Sequence, residues 1–166
     1  MQPARSAQLA SWYDAHAAAM VLYARQWLDE ASAQDVVQEV FLHVLGRPGT
    51  GRNVRAWLFA AVRNAALNHL RSLQRRGRHE QAGAQQGGWF EARGDELIDA
   101  QAAREVMESL AHAQREIVVL KIWAGLTYEQ IAAMLGLSLS GVFRQYQAAL
   151  TAMRQKMEKP CKTKNE

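Results

Sequence analysis

The sequence has few of the features that mark secreted, membrane or disulfide-linked proteins. It contains one cysteine, Cys161, so no internal disulfide can form and a reducing compartment is expected. No apolar run approaches the roughly 18 residues needed to span a bilayer. The first residues also lack the hydrophobic core of a signal peptide. These absences predict a cytoplasmic protein.

Motifs for catalysis and for tightly bound groups are missing as well. The sequence has no Gly-rich phosphate loop, no pair of histidines spaced for one helix face and no nucleophile with a matching base. Glu39 and His43 can share a helix face, but two ligands are too few for a dedicated metal site. We therefore expect no enzyme, no metal, no cofactor and no small-molecule substrate.

Acidic residues are absent from one segment of the chain. Residues 46–79 contain eight arginines and no Asp or Glu. Such a concentration of positive charge predicts an anionic partner. The run from 54 to 74 has neither Pro nor Gly, so it predicts one long helix that Asn53 caps. Helical periodicity predicts that one side packs inward. This side comprises Leu58, Val62, Ala65, Ala66, Leu70 and Leu73.

The opposite side of that helix carries side chains suited to nucleic acid. Its residues are spaced alternately four and three positions apart. They are Trp57, Ala61, Asn64, Asn68, Arg71 and Arg75. An indole stacks on bases, carboxamides bond to base edges and guanidiniums neutralise phosphates. The alternative is a solvated helix face whose tryptophan is half buried by a neighbour.

Two more helices are predicted before the basic stretch, over about residues 6–28 and over 33–45. Ser32 and Asp35 resemble a capping box that would start the second of them. Carboxylates beside an exposed leucine favour a protein partner with a basic surface over DNA, since phosphate would repel them. A routine solvated face is the alternative. The residues on this outer face are Asp35, Gln38, Glu39 and Leu42.

The composition changes near residue 79, where glycine and glutamine replace most aliphatic residues. This profile is typical of a linker between two folded units. With helical patterns on both sides, the sequence predicts an all-α protein with two small helical domains joined by a flexible linker. The expected organisation is a domain at 1–78, a linker at 79–97, a second domain at 98–158 and a polar tail at 159–166.

The strongest local pattern is LTYEQIAAMLGLSLSGVFRQYQAAL. In it Thr127 and Gln130 predict a capping box, Gly136 a turn and Ser138 the cap of the next helix. Leu137 is expected to anchor the turn. Although a generic helical hairpin is the alternative, these features favour a DNA-binding helix-turn-helix. The residues expected to face the groove are Ser140, Arg144, Gln147 and Thr151.

Three segments together resemble the bacterial sigma-70 family, specifically its extracytoplasmic-function (ECF) group. They are DVVQEVFLHVL, VRAWLFAAVRNAALNHLR and the helix-turn-helix pattern, and they follow in the family's order. The resemblance implies an alternative sigma factor, a detachable subunit that binds core RNA polymerase and directs it to promoter DNA. It implies that the first segment docks on the clamp helices of the polymerase largest subunit. The second would melt and read the downstream promoter element, and the third would read the upstream element.

The resemblance also assigns roles to individual residues. Asn64 and Asn68 match family positions near the unpaired non-template strand. Arg47 and Arg52 fall in the loop that, by resemblance, captures a flipped-out base. An anti-sigma factor is a further partner that the family admits.

The second domain departs from the family pattern in its recognition helix. Phe143, Gln145 and Ala148 stand where relatives often carry Lys or Arg, so its hold on phosphate should be weak. Its target sequence therefore cannot be carried over from relatives. The competing hypothesis is a dimeric helix-turn-helix regulator that needs no core polymerase, and such a dimer should present a self-complementary apolar surface.

Overall fold

A computed structural model of the chain describes residues 3–46, 53–77 and 97–158. Within these ranges the chain forms seven α-helices and no strand, which confirms the expected all-α fold. No helix of the described part is both long and apolar enough to cross a membrane. The helices are α1 (Pro3–Ala24), α2 (Glu30–Gly46), α3 (Val54–Gly77), α4 (Leu97–Ser109), α5 (His112–Ile122), α6 (Tyr128–Leu135) and α7 (Leu139–Met157).

The first three helices pack against one another in pairs and bury large apolar side chains between them. On α3 the predicted inward face is confirmed at Leu58, Val62 and Ala66, which have no exposed surface. Leu73 is a correction, because 42% of its surface is exposed. Beyond Ala66 no residue of α3 is fully buried, so the last turns extend past the core and the apolar pattern there finds no interior. Phe59 is fully buried although the predicted face omitted it.

The start of α2 also differs from the prediction. The helix begins at Glu30, and the backbone N–H of Ser32 donates to Asp29 Oδ1 at 2.8 Å. The N–H of Ala33 donates to the Asp29 carbonyl at 2.9 Å, as in the first turn of a helix. Asp29 is therefore the residue that caps α2, and Ser32 lies inside its first turn. The proposed capping box of Ser32 and Asp35 is wrong, because a capping carboxylate three residues earlier takes its place.

In the helix-turn-helix, the predicted caps are present. The Thr127 hydroxyl accepts from the Gln130 N–H, and the Gln130 side chain accepts from the Thr127 N–H, which completes the capping box of α6. Gly136 ends α6 with φ +66°, a left-handed conformation that favours glycine. The Ser138 hydroxyl then accepts from the Gly141 N–H at 3.0 Å and caps α7. Each turn signal in the sequence thus corresponds to a local hydrogen bond or dihedral angle.

Leu137 does not anchor this turn with its side chain, which is 45% exposed. Its backbone N–H instead donates to the Ala132 carbonyl at 3.0 Å and closes the end of α6. The contact that fixes the turn is therefore made by the backbone.

α5 is the helix around which the second half of the described chain is built. Its residues 116–120 are all buried, which an amphipathic surface helix would not show. α6 and α7 pack on it from one half of the molecule, and α1 contacts it from the other. The two helical units are therefore packed together, an arrangement that the sequence did not predict.

Hydrogen bonds and aromatic contacts tie the two units at this junction. The Tyr23 hydroxyl of α1 donates to Glu116 Oε1 of α5 at 2.7 Å. Arg63 Nε of α3 donates to the same oxygen at 2.7 Å. Trp27 lies against the His112 ring with centroids 5.4 Å apart. Glu116 is the one charged side chain that is buried within the described residues, and it has a donor from each of two helices of the first unit.

Candidate nucleic-acid and polymerase surfaces

The basic helix α3 presents a row of exposed polar side chains with a tryptophan at its N-terminal end. Trp57 is 43% exposed, and the other members of the row are exposed as well, while Ala61 between them is half-buried. We call this row the α3 stripe. It comprises Trp57, Asn64, Asn68, Arg71 and Arg75. The structure thus brings these five predicted residues to one accessible face.

Local hydrogen bonds organise the C-terminal half of the α3 stripe. Arg71 Nη1 donates to the Asn68 side-chain oxygen at 3.1 Å, so a carboxamide lies directly beside a guanidinium. Arg76 Nη2 donates to Ser72 Oγ at 2.9 Å, next to the stripe. Positive side chains near a helix C-terminus also interact favourably with the helix dipole. These turns can offer base-edge hydrogen bonds and phosphate neutralisation at neighbouring positions.

Not every arginine of the basic stretch contributes to that surface. Arg63 is committed to Glu116, and Arg55 Nη1 contacts the Gly125 carbonyl at 3.4 Å. Arg47 and Arg52, the predicted base-capturing arginines, lie outside the described residues. Of the five arginines of this stretch that the structure describes, Arg55 and Arg63 contact the second unit, and the other three lie in the last two turns of α3.

The electrostatics of the junction follow from burial and from the shared carboxylate. Burial, and then the neighbouring Glu116 carboxylate, raise the pKa of the Tyr23 hydroxyl far above its ordinary value, so it stays a neutral donor. Burial alone would lower the pKa of Arg63, but the hydrogen bond and attraction to Glu116 raise it overall. Partial burial lowers the pKa of His112 despite Glu116 nearby. No local pattern in the sequence identifies this cluster, because Arg63 and Tyr23 lie 53 and 93 residues from Glu116.

The outer face of α2 carries the predicted protein-binding residues. Asp35, Gln38 and Glu39 are exposed, and Leu42 is 66% exposed. The helix contains no Lys or Arg, so this surface, which we call the α2 face, has a net negative charge. A leucine so accessible among carboxylates forms an apolar contact point inside an acidic surface.

A groove of about 510 Å³ adjoins the α2 face. Gln38 belongs to both surfaces, and Trp123, at the end of α5, reaches the groove from the second unit. The shape of the groove therefore depends on how the two units pack. Its walls include Tyr13, Leu22, Arg25, Gln38 and Trp123.

The four predicted groove-facing residues of α7 are exposed, as the helical spacing predicts. Ser140, Arg144, Gln147 and Thr151 form what we call the α7 face. The Thr151 hydroxyl donates to the Gln147 carbonyl at 2.9 Å, so its hydrogen is used within the helix. Arg144 and Gln147 have the longest reach on this face and the donor groups that recognise guanine and adenine edges.

Sequence reasoning did not include Phe143 among the DNA-facing residues, although its ring is 49% exposed beside Arg144. The ring packs edge-on against Tyr128 of α6, with centroids 5.6 Å apart and planes at 83°. In the sequence this position stands out only as a departure from the Lys or Arg that relatives often carry. An aromatic residue at a place where basic residues are common was the signal that could have identified it.

Comparisons with known proteins identify two regions of the chain. Residues 12–76 match Sigma-70 region 2, and residues 100–153 match Sigma-70 region 4. The ECF RNA polymerase sigma factor SigL of Mycobacterium tuberculosis is 31% identical over 162 residues. That alignment covers 91% of this chain and 89% of SigL.

Two solved structures are similar as well. The sigma factor RpoE from Bartonella quintana, in complex with the anti-sigma factor NepR, has a TM-score of 0.72 and covers 90% of this chain and 96% of that one. At 19% identity this likeness shows the fold alone. CnrH, in complex with the cytosolic domain of CnrY, has a TM-score of 0.59 and 25% identity and covers 90% of this chain and 86% of that one.

The matches favour the sigma factor over the dimeric regulator, because they span both helical units and not the helix-turn-helix alone. Region 2 and region 4 follow one another in the order that the three sequence segments predict. With SigL aligned over most of both chains, these matches show that the chain belongs to the ECF group of the sigma-70 family and is an alternative sigma factor, which binds core RNA polymerase and directs transcription initiation at promoters.

Proposed function

We propose that three surfaces have separate roles in transcription initiation: the α2 face, the α3 stripe and the α7 face. The α2 face binds core polymerase, the α3 stripe holds the opened strand of the downstream element, and the α7 face reads the upstream element as duplex. In this proposal the chain catalyses no reaction itself and supplies promoter choice and strand opening to the polymerase.

The separation of charge between neighbouring helices is the observation that carries this proposal. α2 contains no Lys or Arg, whereas α3 contains no Asp or Glu. Two helices that pack on each other thus present surfaces of opposite sign. DNA would be repelled by the first and attracted by the second, so the two surfaces require different partners.

The acidic α2 face fits a basic protein surface, and within the polymerase the clamp helices of the largest subunit are the proposed site. Leu42 would bury its exposed side chain there, while Asp35 and Glu39 would provide charge complementarity. The groove beside Gln38 would extend this contact area.

On α3 the proposed sequence of events follows the order of the side chains. Trp57 stacks at the edge of the opened segment, since an exposed indole offers a flat surface to an unstacked base. Asn64 and Asn68 then bond to exposed base edges, and Arg71 and Arg75 neutralise phosphates. The roles of Arg47 and Arg52 in capturing a flipped base stay predictions from the resemblance.

The polymerase assignment can be tested by reversing the charge of the α2 face. The double variant Asp35→Lys and Glu39→Lys should bind core polymerase at least about 100-fold more weakly, because like charges facing each other cost several kcal/mol. Co-elution with core enzyme and promoter-dependent transcription are the measurements. The matched control is Asp14→Lys with Glu158→Lys, which makes the same change in net charge at exposed positions elsewhere.

Undiminished core binding by a folded Asp35→Lys, Glu39→Lys protein would refute the α2 assignment. If wild-type protein neither co-elutes with core polymerase nor supports transcription, the proposed division of work fails as a whole. Circular dichroism distinguishes both outcomes from unfolding.

The α7 assignment is tested separately on duplex DNA. Arg144→Ala and Gln147→Ala should each weaken binding to the upstream element by roughly 1–3 kcal/mol if the side chain makes a good base contact. Lys156→Ala serves as the control, because this lysine is exposed on the side of α7 opposite the α7 face and its replacement removes the same charge as Arg144→Ala. Unchanged promoter choice in both variants would show that another face of the helix reads the DNA.

An anti-sigma factor is proposed as a further partner. RpoE, which shares the fold, was solved with the anti-sigma factor NepR. A protein of this class should compete with core polymerase, since occupying the α2 face or its groove would block docking. A candidate that binds the chain and leaves core binding unchanged in a competition assay would contradict this role.

A further inference from the structure

Phe143 has an unusual position for a large apolar side chain. It is the fifth residue of α7, and its ring is 49% exposed although α7 has a buried face of its own. Arg144 follows it directly, and Gln147 lies one turn further along the same side of the helix. The ring is therefore next to the two longest side chains of the α7 face. The N-terminal part of a recognition helix is the part that reaches base edges.

The ring is also held in place from the interior. Tyr128 packs edge-on against Phe143 and also contacts Tyr146, with centroids 5.7 Å apart in the second pair. Lys121 Nζ lies 4.4 Å from the centre of the Tyr128 ring. Tyr128 thus supports the Phe143 ring, about half of which stays exposed. A supported, exposed ring loses little conformational freedom when it is covered.

The chemistry of the major groove offers one apolar feature for such a ring. Thymine presents its C5 methyl group there, and contact with phenylalanine is one of the ways in which it is read. α7 contains no Asp or Glu, so nothing on this helix opposes its approach to phosphate. Leu139, one turn before Phe143, is 48% exposed and extends the apolar strip toward the start of the helix.

We propose that Phe143 selects a thymine in the upstream promoter element by packing its ring on the C5 methyl group. This specificity-determining role rests on the proposed function of the α7 face as the duplex reader. A basic residue at this place would contribute affinity for phosphate at any sequence. Phenylalanine lacks this general affinity for phosphate and instead distinguishes thymine from other bases at one base pair.

The test uses holoenzyme assembled from core polymerase and the full chain. Upstream elements are first selected from random duplexes, and each thymine of the selected element is then replaced in turn by deoxyuridine, which lacks only the methyl group. At one position wild-type holoenzyme should lose about four-fold in affinity, the contribution of roughly one buried methyl group. Phe143→Ala should bind the thymine duplex with a similar loss and should no longer distinguish thymine from uracil there.

Two further variants separate base reading from packing. Ile122→Ala removes another apolar side chain that is 50% exposed, at the end of α5, and should keep the wild-type response to uracil. Phe143→Leu keeps an apolar side chain and should retain part of that response. Circular dichroism checks that each variant is folded.

Each outcome bears on the proposal in a defined way. Phe143 does not read a methyl group if Phe143→Ala loses as much affinity as wild type when each thymine is replaced by uracil. The same conclusion follows if wild type loses no affinity at any position. Either result leaves the α7 assignment intact, because an element was selected. Holoenzyme that binds core polymerase normally but selects no duplex sequence would overturn the α7 assignment together with this proposal.

Discussion

The two halves of the described chain present different chemistry to their partners. In α1 to α3 the exposed functional groups are mostly ionic, with carboxylates on the α2 face and guanidiniums on the α3 stripe. Even the cap of α2 is a carboxylate, Asp29. In α6 and α7 the helix caps are the hydroxyl groups of Thr127 and Ser138, and the α7 face carries a single charge, on Arg144. Charge dominates the first half, and neutral hydrogen bonding and shape dominate the second.

This difference indicates how affinity and selectivity are divided. Ionic contacts to phosphate depend on salt and carry little sequence information. Neutral side chains in a groove contribute less affinity but distinguish base pairs. The first half should therefore supply most of the salt-dependent binding, and the second half should supply most of the choice of duplex sequence.

The largest effect is expected where the two halves meet, at Glu116. Glu116→Ala leaves the Tyr23 hydroxyl and the Arg63 guanidinium without their shared acceptor. We expect a loss of about 3 kcal/mol in the free energy of unfolding, as for a broken buried pair. This value is at the low end of the range for broken buried ion pairs, because 28% of the Arg63 side chain is exposed. Urea denaturation measures the loss.

Two related variants sharpen this result. Tyr23→Phe removes one hydroxyl group and should cost about 1 kcal/mol. Glu108→Ala removes an exposed carboxylate from the same half and should have an effect within about 0.5 kcal/mol. If Glu116→Ala lowers the free energy of unfolding no more than Glu108→Ala does, the two halves do not pack together in solution and are independent units.

Replacing Trp57 should have a smaller effect, and it should affect strand opening, the step at which the α3 stripe is proposed to act. Trp57→Ala should leave closed-complex formation nearly unchanged, since duplex affinity comes from the arginines and from the second half. Strand opening should fall about ten-fold or more, because one stacked base contributes on the order of 1–3 kcal/mol. Permanganate reactivity of unpaired thymines measures the opening.

A promoter pre-melted by mismatches distinguishes Trp57 from the asparagines. It needs no stacking wedge, so it should rescue Trp57→Ala substantially. It should rescue Asn64→Ala less, because the carboxamide would still be missing from the single strand. Equal opening of the matched promoter by wild type and Trp57→Ala would make this tryptophan a packing residue.

The smallest effect contrasts the ionic cap of α2 with the neutral cap of α7. Asp29→Ala and Ser138→Ala should each cost about 1 kcal/mol. The hydrogen bond from the Ser32 N–H lowers the pKa of Asp29 below 3.8 in the folded chain, so the unfolded chain binds the proton more readily. The contribution of Asp29 is therefore present at pH values above the ordinary pKa of an aspartate and is lost as the pH falls through the lower folded pKa.

Denaturation at several pH values checks this contrast. The difference between wild type and Asp29→Ala should shrink at acid pH, while the difference for Ser138→Ala should stay constant. A constant difference for Asp29→Ala would mean that its carboxylate does not cap the helix.

Local features were predictable from the sequence wherever a nearby residue determines them. The capping box of Thr127 and Gln130 and the left-handed Gly136 depend on neighbours within a few positions, and they are confirmed. Ser32 was misassigned because two acceptable caps lie three residues apart and only the actual hydrogen bonds choose between them. Local rules do not rank such alternatives.

Features that depend on tertiary packing were not predictable. Leu73 fits the apolar period of α3, but the core ends before it. The sequence places Arg63 among the arginines of the basic stretch, but its partner Glu116 lies 53 residues away and no local pattern reveals it. Periodicity states which side of a helix is apolar, and it does not state where the interior ends or which charged residues meet inside it.

The bond between Tyr23 and Glu116 also bears on how the chain folds. It joins residues 93 positions apart, so forming it early would cost loop-closure entropy that few local contacts could offset. The caps and short turns of each half involve near neighbours and can form first. During synthesis α1 to α3 emerge before Glu116 does, and until then the Tyr23 hydroxyl and the Arg63 guanidinium are hydrated. We therefore expect docking to be the last step, and hydrogen exchange initiated during refolding should show protection in the capped turn at Ser138 before protection in residues 116–120.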